Sequence, residues 1–201
     1  MKIRGLFLCV FSILMVLLSG CGGKKVTRID SESTTDLSGK WNDTDSRKVA
    51  KAMVQDCLSK PWMQRYSGDN YVPRIIVGII RNKSHEHIDT ETFTKDIERE
   101  LLNSGKVEFV ASKEERVQLR QEKADQMAGN ASPATRKEAG MEAGADIMLY
   151  GSVKTIFDPE GGEVVQFYQV DLELVEVESN RKLWIGSKKI KKHVKRSKAK
   201  F

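Results

Sequence analysis

Cysteine, histidine and long apolar runs are scarce in this chain. These scarcities argue against disulfides, metal sites and membrane-spanning helices respectively. Its 201 residues include three cysteines and three histidines. The one extended apolar run, residues 6–18, is about 13 residues long, too short to cross a hydrocarbon core of about 30 Å as a helix. No later segment is apolar for long enough to span a bilayer, so we expect no membrane-spanning helix.

The first residues have the pattern of a signal peptide that ends in a lipidated cysteine. Lys2 and Arg4 form a basic region before the apolar run, and Leu18-Ser19-Gly20-Cys21 follows the run. Small residues directly before a cysteine resemble the lipobox of bacterial lipoproteins. The resemblance implies cleavage before Cys21 and acyl chains on its sulfur and its amino group, enough for stable anchoring. In the sorting pattern of such proteins, Gly22 implies export to the outer membrane. An ordinary secretory signal is the alternative.

The cysteine count excludes a disulfide within the mature chain. Cys9 would leave with the signal peptide and Cys21 would carry lipid, so Cys57 would be the one free thiol. Val49, Met53 and Cys57 recur at four-residue intervals, a spacing typical of one face of a helix. We therefore expect Cys57 to be buried on a helix, with pairing between chains as the alternative.

The formal net charge of +6 comes from the carboxyl-terminal end of the chain. Residues 188–201 hold eight lysines or arginines and no acidic residue. Without these, and without Lys2 and Arg4, 24 basic residues face 28 acidic ones, so the body lacks the basic signature of nucleic-acid binding. We interpret the tail as a solvated terminus, with electrostatic attachment to an anionic surface as the alternative.

Patterning along the chain predicts one domain behind a polar tether. Apolar periodicity and turn residues predict helices over 47–59, 90–103, 113–127 and 133–143, and strands over 74–80, 107–110, 146–156, 164–178 and 182–192. The predicted fold class is α/β: a mixed β-sheet with a carboxy-terminal antiparallel meander and about four helices packed on it. The predicted boundaries are 1–20 for the signal peptide, 21–40 for the tether, 41–192 for the domain and 193–201 for the basic tail.

Local motifs sharpen this prediction. We expect Asp45 or Ser46 to cap the first helix, and Ser112 with Glu115 has the spacing of a capping box. The uninterrupted β-branched run over 74–80 is typical of a strand covered on both faces. Residues 158–162 are predicted as a turn, and the alternation of apolar residues shifts after Leu174, which indicates a bulge or a two-sided centre.

No set of residues has a catalytic pattern. His85-Glu86-His87 could ligate Zn²⁺ or Cu²⁺ from a strand, but the remaining histidine, His193, lies in the tail, and a solvated loop is favoured. Ser179-Asn-Arg-Lys182 and Ser197-Lys-Ala-Lys200 match Ser-x-x-Lys, a motif that needs the start of a buried helix. The first copy is predicted as a turn and the second as a charged tail. We therefore predict no enzyme, no metal and no cofactor.

Polar loops on a rigid sheet are the expected place for partner contact. The candidate segments are the loop over 82–89 and the hairpin over 158–162. The candidate contact residues are Asn82, His85, His87, Asp158 and Glu160. We interpret Trp41, Trp62 and Trp184 as residues in or over the core, with partner contact as the alternative.

Seven motifs follow one another in an order that resembles the LpoB family of lipoproteins, which activate penicillin-binding proteins. They are Trp41-Asn-Asp-Thr-Asp45, Arg81-Asn-Lys83, Asp89-Thr-Glu-Thr-Phe93, Asn103-Ser-Gly-Lys106, Gly144-Ala-Asp146, Tyr150-Gly-Ser152 and Leu183-Trp-Ile-Gly186. The resemblance implies a fold like the amino-terminal domain of the translocation protein TolB. It also implies a periplasm-facing lipoprotein of the outer membrane that docks on a bifunctional peptidoglycan synthase and stimulates it. The best-known members have a long proline-rich tether, whereas this tether is short and has no proline.

Part of the pattern also resembles a second family. The segment Asn103–Val110, and Gly144-Ala-Asp146 before Gly151-Ser152, are similar to CsgG-type lipoproteins that form curli secretion channels. A CsgG-related role in secretion or envelope assembly is therefore the alternative. The activator interpretation predicts a monomer after detergent extraction, and the channel interpretation predicts a large ring.

Overall fold

The structure is a computed structural model that describes residues 25–66, 71–140 and 142–195. Residues from Thr34 onward belong to one compact unit, and the described residues before it belong to another. The α-helices are α1 (Asp43–Leu58), α2 (Thr90–Asn103) and α3 (Lys113–Asp125). The strands are β1 (Arg74–Lys83), β2 (Glu108–Phe109), β3 (Ile147–Glu160), β4 (Glu163–Glu176) and β5 (Lys182–Lys195).

The five strands form one mixed sheet in the order β2-β1-β3-β4-β5. β1 is parallel to both of its neighbours, whereas β3, β4 and β5 form an antiparallel meander. The predicted fold class is confirmed. The described residues also include a 3₁₀ helix over Pro61–Tyr66 and a π-helical turn over Gln126–Asn130 that follows α3 directly. The helix predicted over 133–143 is wrong, because the described part of that range contains no helix. Gly140 there has a φ of 86°, which an α-helix cannot accommodate.

Helices α1 and α2 pack on each other, α1 also on β5 and α2 also on β1, so one face of the sheet is covered. Side chains of the two helix stripes and alternate strand residues form the core between them. Its largest fully buried members are Tyr168, Phe93, Ile75, Ile97, Leu101, Ile147, Leu149, Leu172, Leu174, Val49, Val153 and Val170. The Ser46 hydroxyl of α1 donates a hydrogen bond of 2.5 Å to Asp96 of α2, which ties the two helices together beneath the surface.

The predicted burial of Cys57 is confirmed, and burial raises the pKa of its thiol to about 12. The thiol is therefore protonated and unreactive near neutral pH. The tryptophans also follow the prediction: Trp62 and Trp184 are buried, and Trp41 packs against the core.

The opposite face of the sheet has no helix over it among the described residues, and this overturns one prediction. β1 is not covered on both faces: Ile75, Val77 and Ile80 are buried, but Ile79 is 70% exposed. A register shift against β3 between Val77 and Ile80 turns Ile79 outward. On the meander, the uncovered face includes polar cross-strand rows such as Lys154, Gln169 and Lys189.

Helix α1 begins four residues earlier than predicted. Asn42, rather than Asp45 or Ser46, is its N-cap: the Asn42 side chain accepts a hydrogen bond from the Asp45 N–H, and the Asp45 carboxylate accepts one from the Asn42 N–H, both at 3.1 Å. Asp45 is thus the third residue of the helix, the N3 position of a capping box whose N-cap is Asn42. The predicted capping box of Ser112 and Glu115 at α3 is confirmed.

The turn between β3 and β4 is tighter than predicted. Gly161 and Gly162 alone form it, with φ values of 56° and 86° that suit a two-residue hairpin turn. Asp158 and Glu160, predicted as turn residues, instead continue β3 and pair with Val165 and Glu163 of β4. The predicted bulge after Leu174 is confirmed as a register shift between β4 and β5.

Candidate functional site

The five candidate contact residues lie at one end of the sheet. β1 and β3 are parallel, and Lys83 near the end of β1 lies opposite Lys154 of β3. The loop after β1 therefore emerges where the β3–β4 hairpin projects onward, with the end of β5 beside it. We call this region, residues 82–89, 155–167 and 190–195, the hairpin end. The bond from the His85 N–H to the Thr155 hydroxyl, 3.2 Å, joins the loop to the hairpin.

Glu86 fixes the loop of the hairpin end to the sheet. Its carboxylate accepts hydrogen bonds from the Tyr168 hydroxyl at 2.7 Å, the Gln166 side-chain amide at 2.7 Å and the Trp41 backbone N–H at 3.2 Å. Burial, followed by the Glu86 carboxylate, raises the pKa of Tyr168 well above its usual value, so the phenol stays a donor. One acid thus joins the loop, β4 and the start of the domain in a network that rigidifies the site.

All three candidate residues of this segment are exposed, but Asn82, predicted in the loop, is the last but one residue of β1, so the loop itself begins after Lys83. Asn82 holds the loop: its amide donates to the Glu86 carbonyl at 2.7 Å, and its side-chain oxygen accepts from the Ser84 N–H at 2.9 Å. His85 and His87 are exposed. In the described parts of the chain, no three His, Cys, Asp or Glu side chains are placed to hold a metal ion. The loop therefore offers two imidazoles on a rigid support.

The tip of the hairpin presents apolar and acidic groups side by side. Ile156 is 63% exposed and Phe157 is 52% exposed. Because successive strand residues face opposite sides, each face of the hairpin shows one large apolar group. Asp158 and Glu160 are exposed further along the same strand. Such a combination suits contact with another molecule better than it suits the stability of the hairpin.

The end of β5 adds positive charge beside the hairpin. Glu163 of β4 pairs with Lys195 at 2.7 Å and with His193 at 2.9 Å. Lys195 and then His193 lower the pKa of the Glu163 carboxyl. Since these groups are largely exposed, the pairs contribute little to stability. β5 continues to Lys195, so residues 193–195 pair with β4.

Lys192 fastens the start of the domain to β5. Its ammonium donates to Asp36 at 2.7 Å, to Asp45 at 2.6 Å and to the Lys40 carbonyl at 3.0 Å. Burial favours the neutral amine, but the two carboxylates outweigh it and raise the pKa of Lys192. Sequence reasoning counted Lys192 with the solvated cations of the tail, because no local pattern marks it as the centre of this cluster.

The described residues include one of the two Ser-x-x-Lys motifs, and they do not bring its serine and lysine together. The Ser179 hydroxyl donates to the Glu176 carboxylate in an exposed turn, while Lys182 pairs with Glu173 at 2.6 Å, so serine and lysine have separate partners. The second Ser-x-x-Lys, over 197–200, lies outside the described residues. The lipobox, Cys21 and Gly22 also lie outside them. Among the helices that the structure describes, none has the length and apolar character needed to cross a membrane.

Comparison with known proteins gives one family match. Residues 45–190 match the model of LpoB, described as a peptidoglycan-synthase activator. No curated protein sequence matches the chain.

Three solved structures are among those that match the chain. The LpoB C-terminal domain from Escherichia coli is 16% identical, with a TM-score of 0.42 over 73% of this chain and 98% of that one. The NMR structure of E. coli LpoB is 17% identical, with a TM-score of 0.41 over 87% of each chain. Lipoprotein GNA1162 from Neisseria meningitidis is 16% identical, with a TM-score of 0.37 over 64% of this chain and 88% of that one.

Proposed function

Because the chain belongs to the LpoB family of peptidoglycan-synthase activators, we propose that it binds a bifunctional penicillin-binding protein and raises its rate of glycan polymerisation. The observation that carries the proposal is the extent of the family match, which begins within α1 and ends within β5, so that it takes in four whole strands and most of the fifth. The match favours this role over the CsgG-related alternative. Activation would occur by binding alone, without a cofactor and without chemistry on this chain.

The test is a polymerisation assay with purified protein and the bifunctional synthases of the host. Adding the mature chain with Cys21→Ala, so that no lipid interferes, should raise the rate of glycan polymerisation by at least one synthase. An unchanged rate with every synthase, together with no binding, would remove the activator role.

The hairpin end is the proposed docking surface. The Glu86 network holds its loop rigidly, so little conformational entropy is lost on binding, and Ile156 and Phe157 offer apolar anchors within a polar rim. Asn82, His85, His87, Asp158 and Glu160 remain the candidate contact residues. Of these, Asn82 would act mainly by holding the loop.

A matched pair of variants tests this location. Ile156 and Ile185 both lie on the uncovered face and are 63% and 60% exposed, but Ile185 is near the start of β5, away from the hairpin end. If Ile156 is a docking anchor, Ile156→Asp should weaken binding by about 2 kcal/mol. The protein concentration that gives half-maximal activation should then rise roughly thirtyfold. Ile185→Asp should change it little. The reverse ranking would place the docking surface at the other half of the sheet.

The lipid anchor and its membrane are part of the same proposal. The motif Leu18–Cys21 and the following Gly22 support a lipoprotein of the outer membrane that faces the periplasm. With Cys21→Ala, the protein should leave the membrane fraction or stay unprocessed. Retention of the variant on membranes after a salt wash, in processed form, would exclude the anchor. The detergent-extracted wild-type protein should run as a monomer.

A further inference from the structure

The second half of β5 carries exposed lysines on both faces of the sheet. Lys189 lies opposite Gln169 on the uncovered face, with Lys191 on the same face, and Lys188 lies opposite the buried Val170 on the covered face. β5 is the last strand of the sheet, so among the described residues no other strand pairs with its outer side. We call Lys188, Lys189 and Lys191 the basic edge; all three are exposed. The sequence continues with Arg196, Lys198 and Lys200, which lie outside the described residues.

The nearby acids do not neutralise this edge. Within residues 25–66, 71–140 and 142–195, no carboxylate forms an ion pair with Lys188, Lys189 or Lys191. Glu163 is engaged by Lys195 and His193, and the carboxylates of Asp36 and Asp45 are engaged by Lys192. The cross-strand neighbours of Lys189 and Lys191 are Gln169 and Phe167, neither of which carries a charge.

The segment that leads back toward Cys21 leaves the domain at this same edge. Asp36 is bound by Lys192, and Gly39 lies so close to Val194 that a Cβ on Gly39 would stand 2.2 Å from the valine methyl. The part of the tether between Cys21 and Asp36 is about 15 residues, which reaches roughly 50 Å when fully extended. Lys192 and Val194 project on the covered face of β5, so the tether enters the domain along that face, next along the strand to Lys191.

We propose that the basic edge docks on the anionic phospholipid headgroups of the membrane that holds the Cys21 lipid. The proposal rests on the lipid anchor of the proposed function, but not on the synthase. Charge complementarity selects an anionic surface, and the short tether makes the membrane the surface that this edge meets at high local concentration. Because the Debye length is about 8 Å at physiological salt, the lysines act once the edge is held close to the headgroups.

The test uses vesicles and the mature chain, residues 21–201, with Cys21→Ala, so that binding depends on the fold alone. Vesicles of phosphatidylcholine mixed with phosphatidylglycerol should sediment this chain, and vesicles of phosphatidylcholine alone should not. Replacing Lys188, Lys189 and Lys191 together with Gln should weaken binding on the order of 100-fold, since each lysine near an anionic membrane contributes about fivefold. Added salt should weaken binding of the unchanged chain in the same direction.

A second triple variant, with Lys106, Lys113 and Lys137 changed to Gln, is the matched control. It removes the same charge from exposed positions on other parts of the domain, and it should bind almost as the parent does. Equal loss in both variants would mean that net charge, rather than the basic edge, drives binding and would overturn the proposal. So would lysine-dependent binding to isolated sacculi without binding to vesicles. Because no synthase is present, neither result depends on whether the protein is an activator.

Discussion

Helices α2 and α3 follow one another along the chain with comparable caps but differ completely in packing. Asp89 caps α2 through its carboxylate, and Ser112 with Glu115 caps α3. α2 buries part of its length, whereas α3 buries no residue. The buried residues of α2 are Phe93, Asp96, Ile97 and Leu101. A cap therefore sets where a helix begins, but burial decides whether the helix shares the stability of the domain.

The consequence extends beyond α3 to the whole connection between β2 and β3. From 111 to 146, every residue that the structure describes is exposed or half-buried. Segments with so few buried contacts open at a small fraction of the global free energy of unfolding. The sheet with α1 and α2 is thus the cooperative unit, and the α3 connection is attached to it.

Truncating an apolar residue should change the free energy of unfolding much more in α2 than in α3, and this is the largest difference that we expect between the two helices. Phe93 is completely buried and meets Trp41 edge-on at 5.8 Å between ring centroids. Phe93→Ala should lower the free energy of unfolding by about 3–5 kcal/mol, because it leaves a cavity in the core. Val117→Ala on α3 should stay within about 0.5 kcal/mol of the parent. Urea unfolding followed by tryptophan fluorescence measures both, and a comparable cost at Val117 would show that α3 is part of the core.

Removing the N-cap side chain of either helix should have a smaller effect. We expect it in the global urea midpoint for α2 and in local amide exchange for α3. Removing an N-cap side chain costs about 1 kcal/mol. Asp89→Ala should therefore shift the global urea midpoint. Ser112→Ala should leave that midpoint unchanged and instead speed amide hydrogen exchange within α3. A global shift of the same size in both variants would contradict the independence of α3.

The smallest effect should be a pH dependence confined to α3. The Ser112 backbone N–H, and after it Lys95 of α2 at 3.0 Å, lower the pKa of the Glu115 carboxyl below its usual range. A lowered folded-state pKa means that this stabilisation is fully present above the unfolded value and is lost as the pH falls through the folded one. Relative to the intrinsic exchange rate, which itself falls with pH, the protection of the α3 amides should therefore decrease below about pH 4.5 while α2 stays protected. Glu115→Gln should show no such acid-dependent change.

Sequence patterns were sufficient where a cap and an apolar stripe lie within one helix. The limits of α2 and the capping box of α3 needed only residues three or four positions apart. The helix predicted over 133–143 failed because Pro133 and the helix-forming residues after it supply local propensity without an apolar face to bury. Gly140 then takes a left-handed conformation instead.

Sequence patterns predicted less of the hairpin end than of the helices. The loop at 82–89 and the residues Asp158 and Glu160 could be chosen as polar segments, but their position at one end follows from the parallel pairing of β1 with β3. The contacts that stiffen that end join residues distant in sequence: Glu86 to Tyr168, 82 positions apart, and Lys192 to Asp36, 156 apart. Periodicity within a window of a dozen residues carries no information about such pairs.

The free outer side of β5 has a consequence for crowding. An unpaired strand edge is a template on which the same strand of a second copy can add. Between residues 182 and 195, however, β5 carries six lysines and no acidic residue. Two such strands laid side by side would set lysines against lysines, which opposes pairing. In the lipid-anchored form proposed above, molecules would collide within a plane far more often than in free solution, and this repulsion would keep neighbours from joining their sheets edge to edge.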